Sequence, residues 1–214
     1  GYSNVHVLPL LLDLNTVRGG ADRSILNQYH DGVVNILFVG RCAPNKRIED
    51  ALYSFYYFQR YVEPNSRFIH VGSFHGFERY HGMLMAFARR LELRRVSFLG
   101  AVGQAELNAA YRCAHLFVCM SEHEGFCIPL LESMACGVPV LAYAAGAVPE
   151  TLDGSGVLFY EKRHDLVSEM MGCLVTDGAF RDRVLARQRE RLARYELRDV
   201  QAELKKWLEP LLAV

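Results

Sequence analysis

The chain has 214 residues, of which 51% are hydrophobic, so it can bury the core of one large α/β domain with flanking helices but not of two full-sized domains. Lys and Arg total 24 and Asp and Glu total 24. This net charge of zero gives no general reason to expect nucleic acid or an anionic membrane as a partner, so any anion-binding site must be local.

The six cysteines occur singly among apolar residues and never in a C-x-x-C pair. This pattern favours reduced thiols over a disulfide framework and therefore a cytoplasmic location. No run of about 18 apolar residues is present, and the apolar stretch from Val5 to Leu12 is too short to cross a bilayer. We therefore expect a soluble protein.

The first element is a predicted strand from Val5 to Leu11 without a nearby hairpin partner. Residues 13–35 are polar and contain the breakers Gly19, Gly20 and Gly32, so they are predicted to form a loop. Because the chain begins at Gly1 rather than at Met, we expect residues 1–34 to be the end of an N-terminal domain and a linker.

The body of the chain alternates short apolar runs with helical periodicity. The predicted strands are 35–40, 68–72, 96–100, 116–119 and 138–143, and the predicted helices are 48–61, 77–91, 104–112 and 129–136. Continuously apolar strands are buried on both faces, and strand–helix repetition builds a parallel sheet. The expected fold is α/β: a doubly wound, Rossmann-like sheet with helices on both faces.

This Rossmann-like domain is expected to span 35–178, followed by C-terminal helices at 179–214. From about Arg163 onwards the pattern is helical, with arginines interleaved with apolar residues as far as Tyr195. Such a pattern is typical of a solvated amphipathic face, and an anionic membrane-docking surface is the alternative.

Ligands of open parallel sheets bind beyond the carboxyl ends of the strands. After the first body strand, the stretch from Gly40 to Lys46 contains one glycine and so lacks both the dinucleotide fingerprint and the Walker pattern. Arg41 and Lys46 could instead bind a diphosphate and neutralise the charge on a leaving group. Two exposed surface cations are the alternative.

The most informative stretch runs from Ser121 to Pro139. Pro129 suits the start of a short helix and Gly137 its left-handed end. The helix N-terminus offers free amides to an anion, with Glu124 just before it and Glu132 in its first turns. Carboxylates accept hydrogen bonds from paired hydroxyls, so the pattern indicates a nucleotide carrying a sugar, with two surface glutamates as the alternative.

The segment from His123 to Cys127 also approaches the H-E-x-x-H zinc motif, with Cys in the second ligand position. Gly125 and Pro129 argue against a continuous helix through both positions. No metal site is therefore predicted.

Together these pieces resemble the C-terminal, nucleotide-sugar-binding domain of glycosyltransferase family 4, the retaining, group 1 glycosyltransferases of GT-B fold. The resemblance covers about residues 35–160. It rests on motifs in the family's order: Phe38-Val39-Gly40-Arg41 through Lys46, Phe98-Leu99-Gly100 with Glu106-Leu107, the E-x7-E segment from Glu124 to Glu132, and Gly146-Ala147-Val148-Pro149-Glu150.

The resemblance implies roles for these residues. Arg41 and Lys46 would bind the diphosphate, Glu132 the ribose hydroxyls and Glu124 the transferred sugar. The amides of Gly125, Phe126 and Cys127 would complete the phosphate site, and the base would lie near Val102. Arg41, Lys46 and Glu124 would then act in catalysis, without a metal or other cofactor.

The implied reaction transfers a hexose-type sugar from a GDP- or UDP-linked donor to an acceptor hydroxyl with retained anomeric configuration. A glycan, lipid or small-molecule acceptor would bind through a missing N-terminal domain, so this chain alone should transfer little sugar. The full-length enzyme could contact the inner face of the membrane peripherally. Three residues depart from the family pattern, Arg47, Cys127 and Ala147, each where Gly is common.

Two other functions remain open at this point. A nucleotide-sugar epimerase of GT-B fold would release free product sugar without any acceptor. A non-catalytic nucleotide-sugar-binding module would bind donor tightly after Glu124→Ala and show no activity in any longer chain.

Overall fold

The computed structural model describes residues 5, 10, 12–196 and 199–212. The strand predicted from Val5 to Leu11 falls outside the described residues except at positions 5 and 10. Within the described part, no helix is long and apolar enough to cross a membrane.

A six-stranded parallel sheet forms the centre of the molecule. Its strands are β1 (Val34–Val39), β2 (Ser66–Val71), β3 (Val96–Phe98), β4 (Leu116–Cys119), β5 (Val140–Tyr143) and β6 (Val157–Phe159). The spatial order β3-β2-β1-β4-β5-β6 places the chain reversal between β1 and β4, as in doubly wound nucleotide-binding sheets. The predicted fold class is confirmed.

Helices cover both faces of the sheet. They are α1 (Asn15–Arg18), α2 (Arg23–Tyr29), α3 (Ile48–Tyr57), α4 (Glu78–Arg90), α5 (Gln104–Cys113), α6 (Ile128–Ala135), α7 (Val148–Leu152), α8 (His164–Thr176), α9 (Gly178–Glu196) and α10 (Val200–Leu212). A 3-10 turn (Pro44–Lys46) precedes α3, and a π turn (Phe58–Val62) follows it.

The sheet residues alternate between two cores, one on each face. On β1, Leu37 packs into the core that includes the inner sides of α5 and α6, whereas Ile36 and Phe38 pack into the core under α3 and α8. All three side chains are at most 2% exposed. Because both faces are buried, the strands are apolar at successive positions, as the sequence pattern indicated.

The loop predicted over 13–35 is wrong, since these residues include α1 and α2 and the start of β1. Asp22 begins α2 by accepting hydrogen bonds from the amides of Ser24 and Ile25. Both helices pack against α5, and the Asn108 amide group donates to the carbonyls of Thr16 and Gly20 at 3.0 and 2.9 Å. This segment is therefore part of the packed domain.

Two short elements near the end of the sheet were not predicted. Strand β6 has only three residues, and its apolar run follows Gly156 directly. Helix α7 has five residues and lies within the Gly-Ala-Val-Pro-Glu motif and the two residues after it. Elements this short carry too few periods for a pattern to identify them.

Helix α9 packs against α6 and α8. The fully buried Gln188 side chain accepts a hydrogen bond from the Val140 amide at 3.0 Å and donates to the Val138 carbonyl at 2.9 Å. A helix side chain thus satisfies the backbone at the start of β5, as a neighbouring strand would.

Candidate functional site

The carboxyl ends of β1, β2 and β3 meet at backbone distance. The Gly72 amide donates to the Gly100 carbonyl, and the Gly40 amide donates to the Val71 carbonyl, both at 2.9 Å. A Cβ atom on Gly72 would lie 1.9 Å from the Gly40 carbonyl oxygen, so only glycine fits. This contact fixes the base of the loop that carries the predicted diphosphate-binding cations.

Lys46 ends the 3-10 turn after β1, and its alkyl chain passes over Gly40. Its Nζ lies 2.6 Å from Oε1 of Glu124, and the two side chains are 21% and 9% exposed. Two residues that are 78 positions apart in the sequence thus form one largely buried ion pair. The structure brings together the lysine of one predicted motif and the first glutamate of the other.

Arg41 lies elsewhere in the same loop. Its side chain is exposed, and its guanidinium lies over the Phe77 ring at 5.4 Å from the centroid. It forms no ion pair with Glu124 or with any other described residue. The structure therefore leaves Arg41 available to a ligand but does not bring it into contact with Lys46 or Glu124.

The loop that carries Glu124 is held by the segment that begins α7. The Ala147 amide donates to the Glu124 carbonyl at 3.0 Å, and the Thr151 hydroxyl donates to the Phe126 carbonyl at 2.6 Å. Gly146 has a φ of 55°, and a Cβ there would lie 2.6 Å from the Glu124 carbonyl oxygen. The Gly-Ala-Val-Pro-Glu motif therefore positions the loop between β4 and α6, residues 120–127, which we call the acidic loop. Its sequence did not indicate this role.

The N-terminus of α6 presents three unpaired amides. The backbone N–H groups of Gly125, Phe126 and Cys127 donate no hydrogen bond to any described residue. Cys127 precedes the helix with a φ of 67°, the left-handed conformation that favours glycine. Free amides at the start of a helix are suited to bind a phosphate.

Glu132 lies in α6, and its Oε2 accepts a hydrogen bond from the Tyr111 hydroxyl at 2.7 Å. Burial raises the pKa of Glu132 above its ordinary value, although the hydrogen bond from Tyr111 opposes the shift. Burial and the adjacent carboxylate raise the pKa of Tyr111 as well. Tyr111 comes from α5 and was missed, because no motif includes it.

Val102 follows β3 and is half-buried against the core that includes α5 and α6. Nearby, Glu106 accepts a hydrogen bond from the Gly103 amide at 2.7 Å and so stabilises the start of α5. The predicted role of Val102 at the base stays a prediction.

A second charged cluster fixes the other side of the acidic loop. Lys162, after β6, lies 2.8 Å from Asp50 and 2.9 Å from Glu122, and Arg47 contacts the same two carboxylates at 2.9 and 3.4 Å. Burial alone would raise the pKa of Asp50, but hydrogen bonds from Arg47 and Lys162 outweigh it and hold the pKa below its usual value. This cluster was also missed, since its members come from three separate segments.

Comparisons with known proteins agree with this architecture. A family model described as glycosyl transferases group 1 matches residues 27–191. The O-antigen chain mannosyltransferase B of Escherichia coli is 33% identical over 92 residues, covering 43% of this chain and 24% of that protein.

Two solved structures share the fold. The structure of Anabaena HepE in complex with UDP-glucose superposes with a TM-score of 0.75 at 20% identity, covering 95% of this chain and 56% of that one. The C-terminal domain of LpcC, a glycosyl transferase group 1 family protein from Francisella tularensis, superposes with a TM-score of 0.69 at 22% identity, covering 85% of this chain and 96% of that domain.

The chain thus spans 24% of the mannosyltransferase and 56% of HepE, but nearly all of the separate C-terminal domain of LpcC. The family model covers more than half of the chain, and the sheet order agrees with it. The chain belongs to the group 1 glycosyl transferase family and has the fold of the C-terminal domain of these GT-B enzymes.

Proposed function

We propose that this chain is the donor-binding domain of a retaining glycosyltransferase that transfers a hexose-type sugar from a nucleoside diphosphate to an acceptor hydroxyl. The observation that carries the proposal is the Lys46–Glu124 ion pair, which lies next to three unpaired amides at the start of α6. A cation, a carboxylate and free amides together match the phosphates and hydroxyls of one elongated ligand.

In the donor complex, the diphosphate takes the place of Glu124 as the partner of Lys46. Lys46 and Arg41 neutralise the two phosphates, and the amides of residues 125–127 bind the remaining phosphate oxygens. Glu124 is thereby released to accept hydrogen bonds from the sugar hydroxyls. Glu132, which Tyr111 already orients, accepts hydrogen bonds from the ribose hydroxyls.

Transfer breaks the bond between the anomeric carbon and the phosphate oxygen and forms a bond from that carbon to the acceptor oxygen. The acceptor proton moves to an oxygen of the leaving phosphate. Lys46 and Arg41 stabilise the negative charge that develops on the diphosphate, so no divalent cation is required. The new bond forms on the face that the phosphate leaves, which retains the anomeric configuration.

The acceptor is a glycan, lipid or small molecule that binds through an N-terminal domain. Transfer takes place in the cytoplasm, and the full-length enzyme contacts the inner face of the membrane peripherally. Two observations support different donors. One relative is named as a mannosyltransferase, whereas HepE was solved with UDP-glucose. A GDP-linked and a UDP-linked hexose are therefore the first donors to test.

The test is a thermal-shift and calorimetric panel of GDP, UDP, ADP and their sugar conjugates, with and without EDTA. We expect one nucleotide family to raise the melting temperature, because a ligand that binds only the native state stabilises it, and EDTA to leave the shift unchanged. Absence of a shift with every nucleotide would contradict the proposal.

Three variants then test the assigned residues by calorimetry. Lys46→Ala and Glu132→Ala should weaken binding of both the nucleotide and the nucleotide-sugar, whereas Glu124→Ala should weaken the nucleotide-sugar more. Lys205→Ala, an exposed lysine of α10, is the matched control and should bind like the parent. Unchanged affinity in all three site variants would show that the residues are wrongly assigned.

A further inference from the structure

Three side chains of different elements converge beside the Lys46–Glu124 pair. The Sγ atoms of Cys119 and Cys127 and a carboxylate oxygen of Glu124 all lie within 4.8 Å of one another. Cys119 is the last residue of β4 and Cys127 immediately precedes α6, so the acidic loop leaves the sheet at one thiol and enters the helix at the other. No other such group of three occurs among the described residues.

The two thiols are held close together in a buried position. Cys119 is 2% exposed and Cys127 is 8% exposed.

Cys127 also holds its thiol at the expense of backbone strain. Its φ of 67° lies in the left-handed region, which is unfavourable for a residue other than glycine. A strained residue at a ligand-facing turn is a reason to look for a function of its side chain.

We propose that Cys119, Cys127 and Glu124 form a binding site for a thiophilic divalent cation such as Zn²⁺. Two sulfurs and one carboxylate oxygen supply three ligands of a tetrahedral site, and water takes the fourth position. The two thiolates and the carboxylate carry three negative charges, which the cation and the ammonium group of Lys46 together balance.

Binding converts two thiols into two metal–thiolate bonds and releases both protons to solvent, so the affinity for the cation rises with pH. The inference departs from the sequence-based prediction of no metal site. The spacing of His123 and Cys127 had suggested a zinc motif, but His123 is exposed and Cys119 is the residue that completes the group.

The site predicts antagonism between the cation and the sugar donor. This antagonism rests on the proposed function, in which the Glu124 carboxylate accepts hydrogen bonds from the transferred sugar. The same carboxylate cannot bind the cation and the sugar together. Zn²⁺ therefore inhibits donor binding, and the reaction itself remains metal-independent.

The first experiment titrates the metal-free chain with Cd²⁺ and follows the ultraviolet charge-transfer absorption of cadmium thiolates. Cys173→Ser serves as the parent, because Cys173 is the exposed thiol. We expect one Cd²⁺ per chain in the parent and an affinity at least about 100-fold lower after Cys127→Gly, because removing even the outer partners of metal ligands costs about 10- to 100-fold. Cys136→Ser, whose thiol faces the Val17 carbonyl outside the group, is the matched control.

Cys127→Gly suits the left-handed backbone and so keeps the fold, and Cys119→Ala provides a second, independent loss of a ligand. Absence of the cadmium absorption in the parent would overturn the site. Absorption as strong as the parent's after Cys127→Gly and Cys119→Ala would overturn it as well. Loss in both variants with retention in Cys136→Ser supports it.

The second experiment measures calorimetric affinity for UDP-glucose and GDP-mannose at buffered free Zn²⁺. For whichever donor binds, we expect Zn²⁺ to lower the donor affinity of the parent by about tenfold and to leave that of Cys127→Gly unchanged. The same variant corrects for chelation of Zn²⁺ by the nucleotide. Donor affinity that does not respond to Zn²⁺ in a parent that binds cadmium overturns the antagonism. Failure of every donor to bind without metal refutes the proposed function instead, while the cadmium absorption still reports on the site.

Discussion

The two glutamates of the E-x7-E segment are held in place in different ways. Glu124 lies in a loop, is paired with Lys46, and depends on contacts from other loops for its position. Glu132 lies in a helix whose neighbours are core residues and is hydrogen-bonded to the buried Tyr111. The difference teaches that one motif joins an acid held by loop contacts to an acid held by helix packing, and substitutions remote from either carboxylate should affect them separately.

The largest effect is expected from Gly146→Ala, which acts on Glu124. Its Cβ would lie 2.6 Å from the Glu124 carbonyl oxygen and 2.9 Å from its nitrogen, at a φ of 55°. Steric overlap and left-handed strain together should lower the free energy of unfolding by about 3 kcal/mol. Urea denaturation measures the loss, and nucleotide-sugar affinity should fall more than nucleotide affinity.

Gly154→Ala is the control for strain without overlap. Its φ of 75° is also left-handed, but no atom lies within 4 Å of the added Cβ. We expect a loss of about 1 kcal/mol and unchanged nucleotide-sugar binding. Equal losses in the two variants would mean that the contact between Gly146 and the acidic loop does not matter.

Tyr111→Phe acts on Glu132. It removes the hydroxyl that donates to the half-buried carboxylate and should cost about 2 kcal/mol near neutral pH, as for other hydrogen bonds to charged groups. A second expected result is weaker binding of the nucleotide, with the preference between nucleotide and nucleotide-sugar left as in the parent.

The pH dependence of the Tyr111→Phe effect has a definite sign. Burial raises the pKa of Glu132 above its ordinary value of 4.5, so the protonated carboxyl favours the native state below that value, and this contribution is lost as the pH rises through the folded pKa. Without Tyr111 the pKa rises further. The cost of the substitution should therefore shrink towards about pH 4, and a constant cost from neutral to acid pH would contradict the assignment.

Lys162→Met should have an intermediate effect, on the Glu124 side. It removes a cation from Asp50 and Glu122, leaving Arg47 as their partner, and should cost about 1–2 kcal/mol, between values for exposed and buried pairs. The pKa of Asp50 is lowered from 3.8, so the stability it contributes is present above that value and is lost as the pH falls through the folded pKa. The parent and variant should converge in acid.

Arg163→Met tests the same chemistry at an exposed pair next along the chain. Its partner Asp165 lies 2.8 Å away, but both side chains are about half exposed, at 58% and 49%. The expected cost by denaturation is much smaller than that of Lys162→Met, because solvent screens an exposed pair. A cost as large as that of Lys162→Met would mean that the loss in Lys162→Met comes from a change in surface charge and not from its contacts with the acidic loop.

The smallest effect is expected from Cys127→Gly. Relief of the left-handed strain offsets the loss of a buried thiol, so stability should stay within about 0.5 kcal/mol of the parent. Ala147→Gly, at a φ of −82°, gains no such relief and should cost about 0.5–1 kcal/mol. Thermal denaturation of both variants would decide whether Cys127 is strained and Ala147 is not, as their φ angles indicate.

The sequence predicted most of the sheet because its signals are local. Strand β1 is a continuous apolar run, and the end of α6 is marked by Gly137, which has the expected left-handed φ of 71°. Helix α2 was missed because its start depends on the Asp22 cap rather than on a long apolar period. Strand β6 was missed because three residues form no recognisable period.

The candidate site was predictable one residue at a time but not as an arrangement. Lys46 and Glu124 were each identified by motif, yet their ion pair joins positions 78 residues apart and follows only from the strand order. Tyr111 and Lys162 belong to no motif, so only the packing of α5 and of the segment after β6 places them near the acids. The strain at Cys127 likewise requires a backbone angle.

Gln188 makes helix α9 a structural part of the domain rather than an appendage. Its side chain completes the hydrogen bonding of the Val138 carbonyl and the Val140 amide, so removal of α9 would leave two buried backbone groups beside the start of β5 without partners. Each unsatisfied group costs about 1–3 kcal/mol, a large part of the stability of an ordinary domain. A gene shortened to end after α8 should therefore yield a strongly destabilised, insoluble product.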